Sequence, residues 1–287
     1  METPGGVFIG GLVGWNRGGR ITNVSVSGSI SGGMCDIGGL VGYNGEGVID
    51  RCQADCNISG ESALGGLVGK NFLGGITESS ASGSVTGSSY LGGLVGEGTI
   101  GTVTACYATG AVTGTSSKVG GLVGESYYET ITNCYSAGAV SGTGDTGGLV
   151  GKNDNAANVT ASFWDTQTSG QAASAGGTGK TTAQMKTRST FTGAGWDFTS
   201  IWSINESVDY PRLIGAPHLL TTMAIDGDLA PPTGVDFYDF AFLANRWLET
   251  DCASKGDCGG ADIDKSGTVD AVDLKYIRDH WLEGTGL

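Results

Sequence analysis

Apolar residues recur in fixed columns through the first 164 positions, with a period of 27 or 28 residues. The anchor is a Gly-Gly-Leu-Val-Gly pentapeptide that starts at Gly10, Gly38, Gly65, Gly92, Gly120 and Gly147, preceded by Ile9, Ile37, Leu64, Leu91, Val119 and then Thr146. Eleven residues after the first glycine stand Ile21, Ile49, Ile76, Val103 and Ile131; twenty after it stand Ile30, Ile58, Val85, Val112 and Val140. Branched residues in these columns favour strand interiors, and no window in this region carries a helical period. Each period therefore predicts two or three short strands separated by Gly-rich corners. One period cannot bury its own apolar face. Coiling the chain stacks equivalent columns about 4.8 Å apart and pairs the backbone between turns. The expectation is a mainly β protein built on a β-solenoid of about six turns.

The polar columns fit the same picture. The position after the pentapeptide runs Trp15, Tyr43, Lys70, Glu97, Glu125, Lys152, an aromatic pair followed by mostly complementary charges, as an outward face tolerates. The next runs Asn16, Asn44, Asn71, Gly98, Ser126, Asn153, a pattern suited to an Asn ladder that satisfies corner carbonyls. Ser25, Gln53, Ser80, Tyr107 and Tyr135 share a further column, with Phe163 at a one-residue offset. Such a stripe either stacks on itself or offers rings to sugars.

After Phe163-Trp164 the repeat gives way to a Gly-, Ser- and Thr-rich stretch, then to Trp196, Phe198, Ile201, Trp202, Ile204 and Tyr210-Pro211-Arg212-Leu213. This reads as a cap over the last turn. Within it, Gly176 to Thr181 mimics a phosphate loop, but no apolar strand leads in and no helical pattern leads out. The chain thus divides into a solenoid over 1–164, a cap and linker over 165–222, and a third part over 223–287 of different character.

That third part is acidic and helical in period. Asp262, Asp264, Ser266, Asp270 and Asp273 place oxygen side chains at positions 1, 3, 5, 9 and 12 of a loop, Thr268 offers its carbonyl at position 7, and Gly267 occupies the sharp turn. Calcium takes six or more oxygens from a flexible loop, and this spacing supplies them. Leu274, Ile277 and Trp281 then fall on one helix face. Asp239-Phe240 to Glu249 parallels Asp273-Leu274 to Glu283, so the segment is an internal duplication. Its first loop offers Asp226, Asp228, Asp236 and Asp239 but is interrupted by Pro231-Pro232; it carries an insertion or binds calcium weakly.

The remaining composition narrows the class. Gly reaches 54 of 287 residues, with 5 Pro and no Gly-X-Y period, which excludes collagen. A net charge of -14 opposes nucleic-acid binding. No 18-residue apolar run is present. No signal-peptide pattern follows Met1, and the chain opens inside a repeat; the expectation is the C-terminal piece of a longer extracellular or cell-surface protein. Of 7 Cys, Cys52, Cys106 and Cys134 share a column as small interior residues, Cys35 and Cys56 are not paired by any spacing, and Cys252 and Cys258 bracket a loop that a disulfide would suit.

The pentapeptide repeats resemble the GLUG motif of bacterial secreted surface proteins, from about Gly10 to Trp164. The duplicated loops resemble a type I dockerin, from about Ile225 onward. That second resemblance implies calcium-dependent docking to a cohesin-like module, with Asp262, Asp264, Ser266, Thr268, Asp270 and Asp273 as ligands. It also implies partner contacts at Phe237-Tyr238 and Ala271-Val272. Catalysis has little support. His218 and His280 are the only histidines, and acids such as Asp50, Asp55, Glu61 and Glu78 do not recur in columns. The function expected is a non-catalytic extracellular structural or adhesive repeat protein, tethered through calcium. The alternative is a component of a polysaccharide-degrading complex that binds or cleaves carbohydrate on the solenoid.

Overall fold

A computed structural model describes residues 7–33, 35–154, 158–214, 243–244, 246–252, 261–263 and 265–279. The chain divides into two compact units, Met1–Leu219 and Leu220–Leu287.

The first unit is a parallel β-solenoid of six rungs. The second rung shows the plan, with strands at Cys35–Gly38, Val41–Gly45, Val48–Asp50 and Gln53–Ser59. Equivalent strands of successive rungs pair in parallel, giving three six-stranded sheets and a fourth that continues into the cap. The register follows the sequence columns: Ile21, Ile49, Ile76, Val103, Ile131 and Val159 lie above one another, as do Ile30, Ile58, Val85, Val112 and Val140. Phe163 is in register with Tyr135 after all. Tyr127 pairs with Asp154, 27 residues on, whereas Thr130 pairs with Asn158, 28 residues on, so the period lengthens by one residue between these two strands.

A rung has four or five strands, more than the two or three expected, and several of its corners are turned by residues other than glycine. Asn23, Arg51, Glu78, Ala105, Asn133 and Ala161 form one corner column with positive φ, and Glu46, Leu73, Ile100 and Tyr128 form another. Left-handed backbone costs a non-glycine residue about 1–2 kcal/mol. The corner N–H groups compensate by bonding to the next rung, as in Arg51 to Thr77 O at 3.1 Å and Glu78 to Thr104 O at 3.1 Å. The pentapeptide glycines serve close approach instead. A Cβ on Gly66 would stand 2.1 Å from Gly93 O and 2.8 Å from Ala81 Cβ. This Gly–Ala contact forms a waist that divides the interior into two cores, one around Leu40, Leu67, Leu94, Leu122 and Leu149, the other around Ile37, Leu64, Leu91 and Val119.

Cys52, Cys106 and Cys134 are buried free thiols, as expected, and Cys56 is another. The first three share the corner chemistry of Ser79 and Ser162. Ser79 Oγ donates to Thr77 O at 2.7 Å and accepts the Cys52 N–H from the preceding rung at 3.0 Å.

The cap does more than close the last turn. Ser174 Oγ accepts the N–H of Val150 at 2.8 Å, Gly148 N–H donates to Ala173 O at 3.0 Å, and Thr178–Lys180 adds a strand beside Phe163–Asp165. The Gly176 to Thr181 stretch is thereby accounted for as this strand and the Thr181 N-cap of a short helix, Thr182–Met185. The chain then turns back along the fourth sheet, where Phe191, Trp196, Trp202 and Leu213 pack on Tyr135 and Phe163. Tyr107 and Tyr135 stack at 5.0 Å and 6°, and Tyr135 Oη donates to Pro211 O at 2.7 Å. The aromatic stripe is therefore a buried seam and offers no open platform for sugars.

In the second unit, Leu243, Cys252, Ala261 and Val269 form a small core with Ile263 and Leu274. Cys252 is disulfide-bonded; Cys258 lies outside the described residues.

Candidate functional site

The loop ahead of helix Ala271–Asp279 is wrapped around its own carboxylates. Asp262 and Asp273 are buried, at 2% and 0% exposure. Asp262 accepts the N–H of Ser266 at 3.0 Å on one oxygen and that of Gly267 at 2.9 Å on the other. Asp273 closes the far side by accepting from Ile263 N–H at 2.6 Å and Asp270 N–H at 2.9 Å. Gly267 has φ +96, which its missing Cβ allows. Asp270 Oδ1 takes the Val272 N–H at 2.8 Å at the helix start. Val269 pairs with the segment at 248–249, exchanging hydrogen bonds with Leu248 and Glu249 at 2.9 and 3.0 Å.

These contacts bring together Asp262, Ser266, Thr268, Asp270 and Asp273 on one short loop. Asp264 lies outside the described residues, as do Asp226, Asp228, Asp236 and Asp239. Among the described residues no three His, Cys, Asp or Glu side chains converge as a metal cluster. The donor chemistry fits a hard cation nonetheless: carboxylates, a hydroxyl and a backbone carbonyl, with two carboxylates held away from water. Of the residues expected to contact a partner, Ala271 and Val272 are exposed on the first helical turn, while Phe237 and Tyr238 lie outside the described residues.

On the solenoid, the second-sheet column stacks as the sequence indicates, and Lys70 meets Glu97 at 2.9 Å. Lys118, just before the strand Val119–Gly120, relieves the Glu97–Glu125 step by reaching Glu125 at 2.8 Å. Beside this ladder lies Asp36, whose carboxyl is raised to about 6 by burial, against the lowering pull of Lys70. At the first-rung end of the same face Phe8, Trp15 and Tyr43 cluster within 5.0–6.0 Å, and Trp15 is 41% exposed. The sequence columns missed Asp36 and Phe8 because their column is mixed in character, running on through Ala63, Tyr90, Lys118 and Asp145. The acids at Asp50 and Asp55 have separate partners, Arg20 at 3.0 Å and Ser82 at 3.0 Å.

Comparison with known proteins agrees with the rung register. Residues 6–31, 60–86, 87–113 and 115–141 match the family described as the GLUG motif. Four of the six rungs are GLUG motifs. The GLUG match omits the second and sixth rungs, which stack in the same register. The chain is also 48% identical over 71 residues to a protein of Evansella cellulosilytica named as a Gly-rich membrane protein. Those residues are 24% of this chain and 8% of that protein, so the chain matches only a small fraction of its relative's length. No solved structure matches. Among the described residues no helix is long and apolar enough to cross a membrane.

Proposed function

We propose that this chain is a non-catalytic, extracellular or cell-surface repeat protein in which the GLUG solenoid provides a rigid structural or adhesive surface. The C-terminal module tethers it through calcium to a cohesin-like partner. The observation that carries the tethering half is the loop folded on Asp262 and Asp273, with both carboxylates buried and their backbone partners set at the spacing of a calcium half-hand. When bound, calcium would neutralise these acids and draw in the Thr268 carbonyl. Asp262, Asp264, Ser266, Asp270 and Asp273 would supply the other oxygens.

Scanning calorimetry of the intact chain with calcium and with chelator tests this reading. Ligand binding to the folded state alone raises stability by about 2.7 kcal/mol at a hundredfold excess over the dissociation constant. The transition of the second unit should therefore move up with calcium, and D262A should abolish the movement. Identical thermograms with and without calcium would remove the metal from the proposal. Calcium-dependent capture by a cohesin module then tests the partner.

A second reading is favoured by one face of the solenoid. The exposed Trp15 and half-buried Phe8 and Tyr43, beside Asp36, Lys70 and Glu97, combine accessible ring surface with polar groups, the combination a carbohydrate ligand requires. Retention on immobilised polysaccharide that W15A abolishes would support it. Depolymerisation of that polysaccharide would overturn the non-catalytic assignment.

A further inference from the structure

The Asn ladder has a gap, and a carboxyl group from another rung fills it. Asn16 Nδ2 donates to Asn44 Oδ1 at 2.8 Å and Asn44 Nδ2 to Asn71 Oδ1 at 2.9 Å, each amide also donating to a corner carbonyl of its own rung. The next position is Gly98, and the ladder does not continue through it. Instead Asn71 Nδ2 donates to Oε1 of Glu129, which lies 58 residues away, two rungs along, at 3.0 Å. A Cβ on Gly98 would stand 2.0 Å from Glu129 Oε2, so the carboxyl occupies the space of the missing side chain. Glu129 is fully buried. Among the described residues neither its Oε2 nor the nearby Ser126 Oγ has a hydrogen-bond partner.

We propose that Glu129 is a proton-operated plug. Protonated, it completes the ladder across Gly98 and anchors the Tyr127–Tyr128 corner; ionised, it leaves the ladder and releases that corner. A neutral carboxyl has one accepting and one donating oxygen, as an amide has an oxygen and a nitrogen. Oε1 accepts from Asn71 and the proton belongs on Oε2. Ionisation leaves a charge in a site whose facing groups, Asn71, Gly98 and Ser126, are all uncharged. Across the strand, Lys70, Glu97 and Glu125 occupy the outer face and pair there, Lys70 with Glu97 and Glu125 with Lys118 and Lys152. Next to the plug in sequence, Tyr127 and Tyr128 are exposed at 40% and 53% and meet edge to face at 4.7 Å.

Burial raises the Glu129 carboxyl from 4.5 to about 7, with the Asn71 hydrogen bond pulling the other way. The folded protein holds this proton where the unfolded chain has lost it. The contribution is therefore complete below about 4.5 and is lost as pH rises through about 7. Carbon-detected NMR titration of the intact chain should place the Glu129 carboxyl midpoint near 7; a midpoint near 4.5 would overturn the proposal. Between pH 4.5 and 8 this group should raise the unfolding equilibrium constant by up to about 300-fold. Amides at Gly98–Ile100 and Tyr127–Thr130 should exchange faster at pH 8 than intrinsic rates account for. Glu129→Gln keeps the shape and removes the titration, so both effects should disappear. An unchanged pH dependence in E129Q would also overturn it, and if that variant fails to fold, the wild-type titration still decides.

Discussion

Replacing Asn44 with Ala should be among the most damaging single changes in the solenoid, although it removes only a small polar side chain. Asn44 is fully buried and takes part in three hydrogen bonds: it accepts from Asn16 at 2.8 Å and donates to Asn71 Oδ1 at 2.9 Å and to Gly47 O at 3.1 Å. Asn16 keeps its bond to Gly19 O at 3.1 Å and the Gly47 carbonyl still accepts the Gly75 N–H at 2.9 Å, whereas the Asn71 oxygen loses its donor. An orphaned buried acceptor costs about 1–3 kcal/mol. That one orphan, with the lost Asn16 and Gly47 bonds, brings the expected destabilisation to about 2–4 kcal/mol. Asn153→Ala is the internal comparison. Asn153 Nδ2 makes an exposed bond to Ala175 O at 3.3 Å, and the change should cost less, about 1 kcal/mol. Asn44→Asp should be worse than Ala at pH 8, because a carboxylate oxygen would face the Asn71 oxygen and the Gly47 carbonyl. The assay is guanidinium unfolding followed by far-UV circular dichroism, with hydrogen exchange locating the loss to the first three rungs. Similar midpoints for N44A and N153A would refute the view that the ladder supports the corner.

Two further changes probe the waist and the seam. Gly66→Ala should lose at least about 3 kcal/mol in the same unfolding assay, because the added methyl meets Gly93 O at 2.1 Å and Ala81 Cβ at 2.8 Å. Gly33→Ala, with open space around the new Cβ, should stay within about 0.5 kcal/mol. Tyr135→Phe leaves the Pro211 carbonyl without its buried donor at 2.7 Å. It should cost about 1–3 kcal/mol and speed proteolysis of the cap between Trp196 and Leu213 before the rungs are cut; an unchanged digestion pattern would contradict that role for the seam.

The sequence by itself determined the solenoid, because a stacked fold repeats its constraints at every turn. Ile21, Ile49, Ile76, Val103 and Ile131 occupy one site in five rungs, and five readings of one environment leave little ambiguity. The same redundancy exposed the Asn ladder and the charge column. Tertiary structure alone decided the features that occur once or that break the period. The waist rests on a contact between Gly66 and Ala81, two small residues whose types announce no partner. Corners at Arg51, Glu78 and Leu73 adopt left-handed backbone because bonds to the next rung outweigh their local preference. Trp202 and Tyr210 belong to a cap whose place along the fourth sheet is set by long-range packing on Tyr135. The loop from Asp262 to Asp273 was legible because its contacts are local, with all partners within twelve residues. Glu129 was not, since it fills a gap two rungs away; only the fold brings a carboxyl at 129 to the space above a glycine at 98.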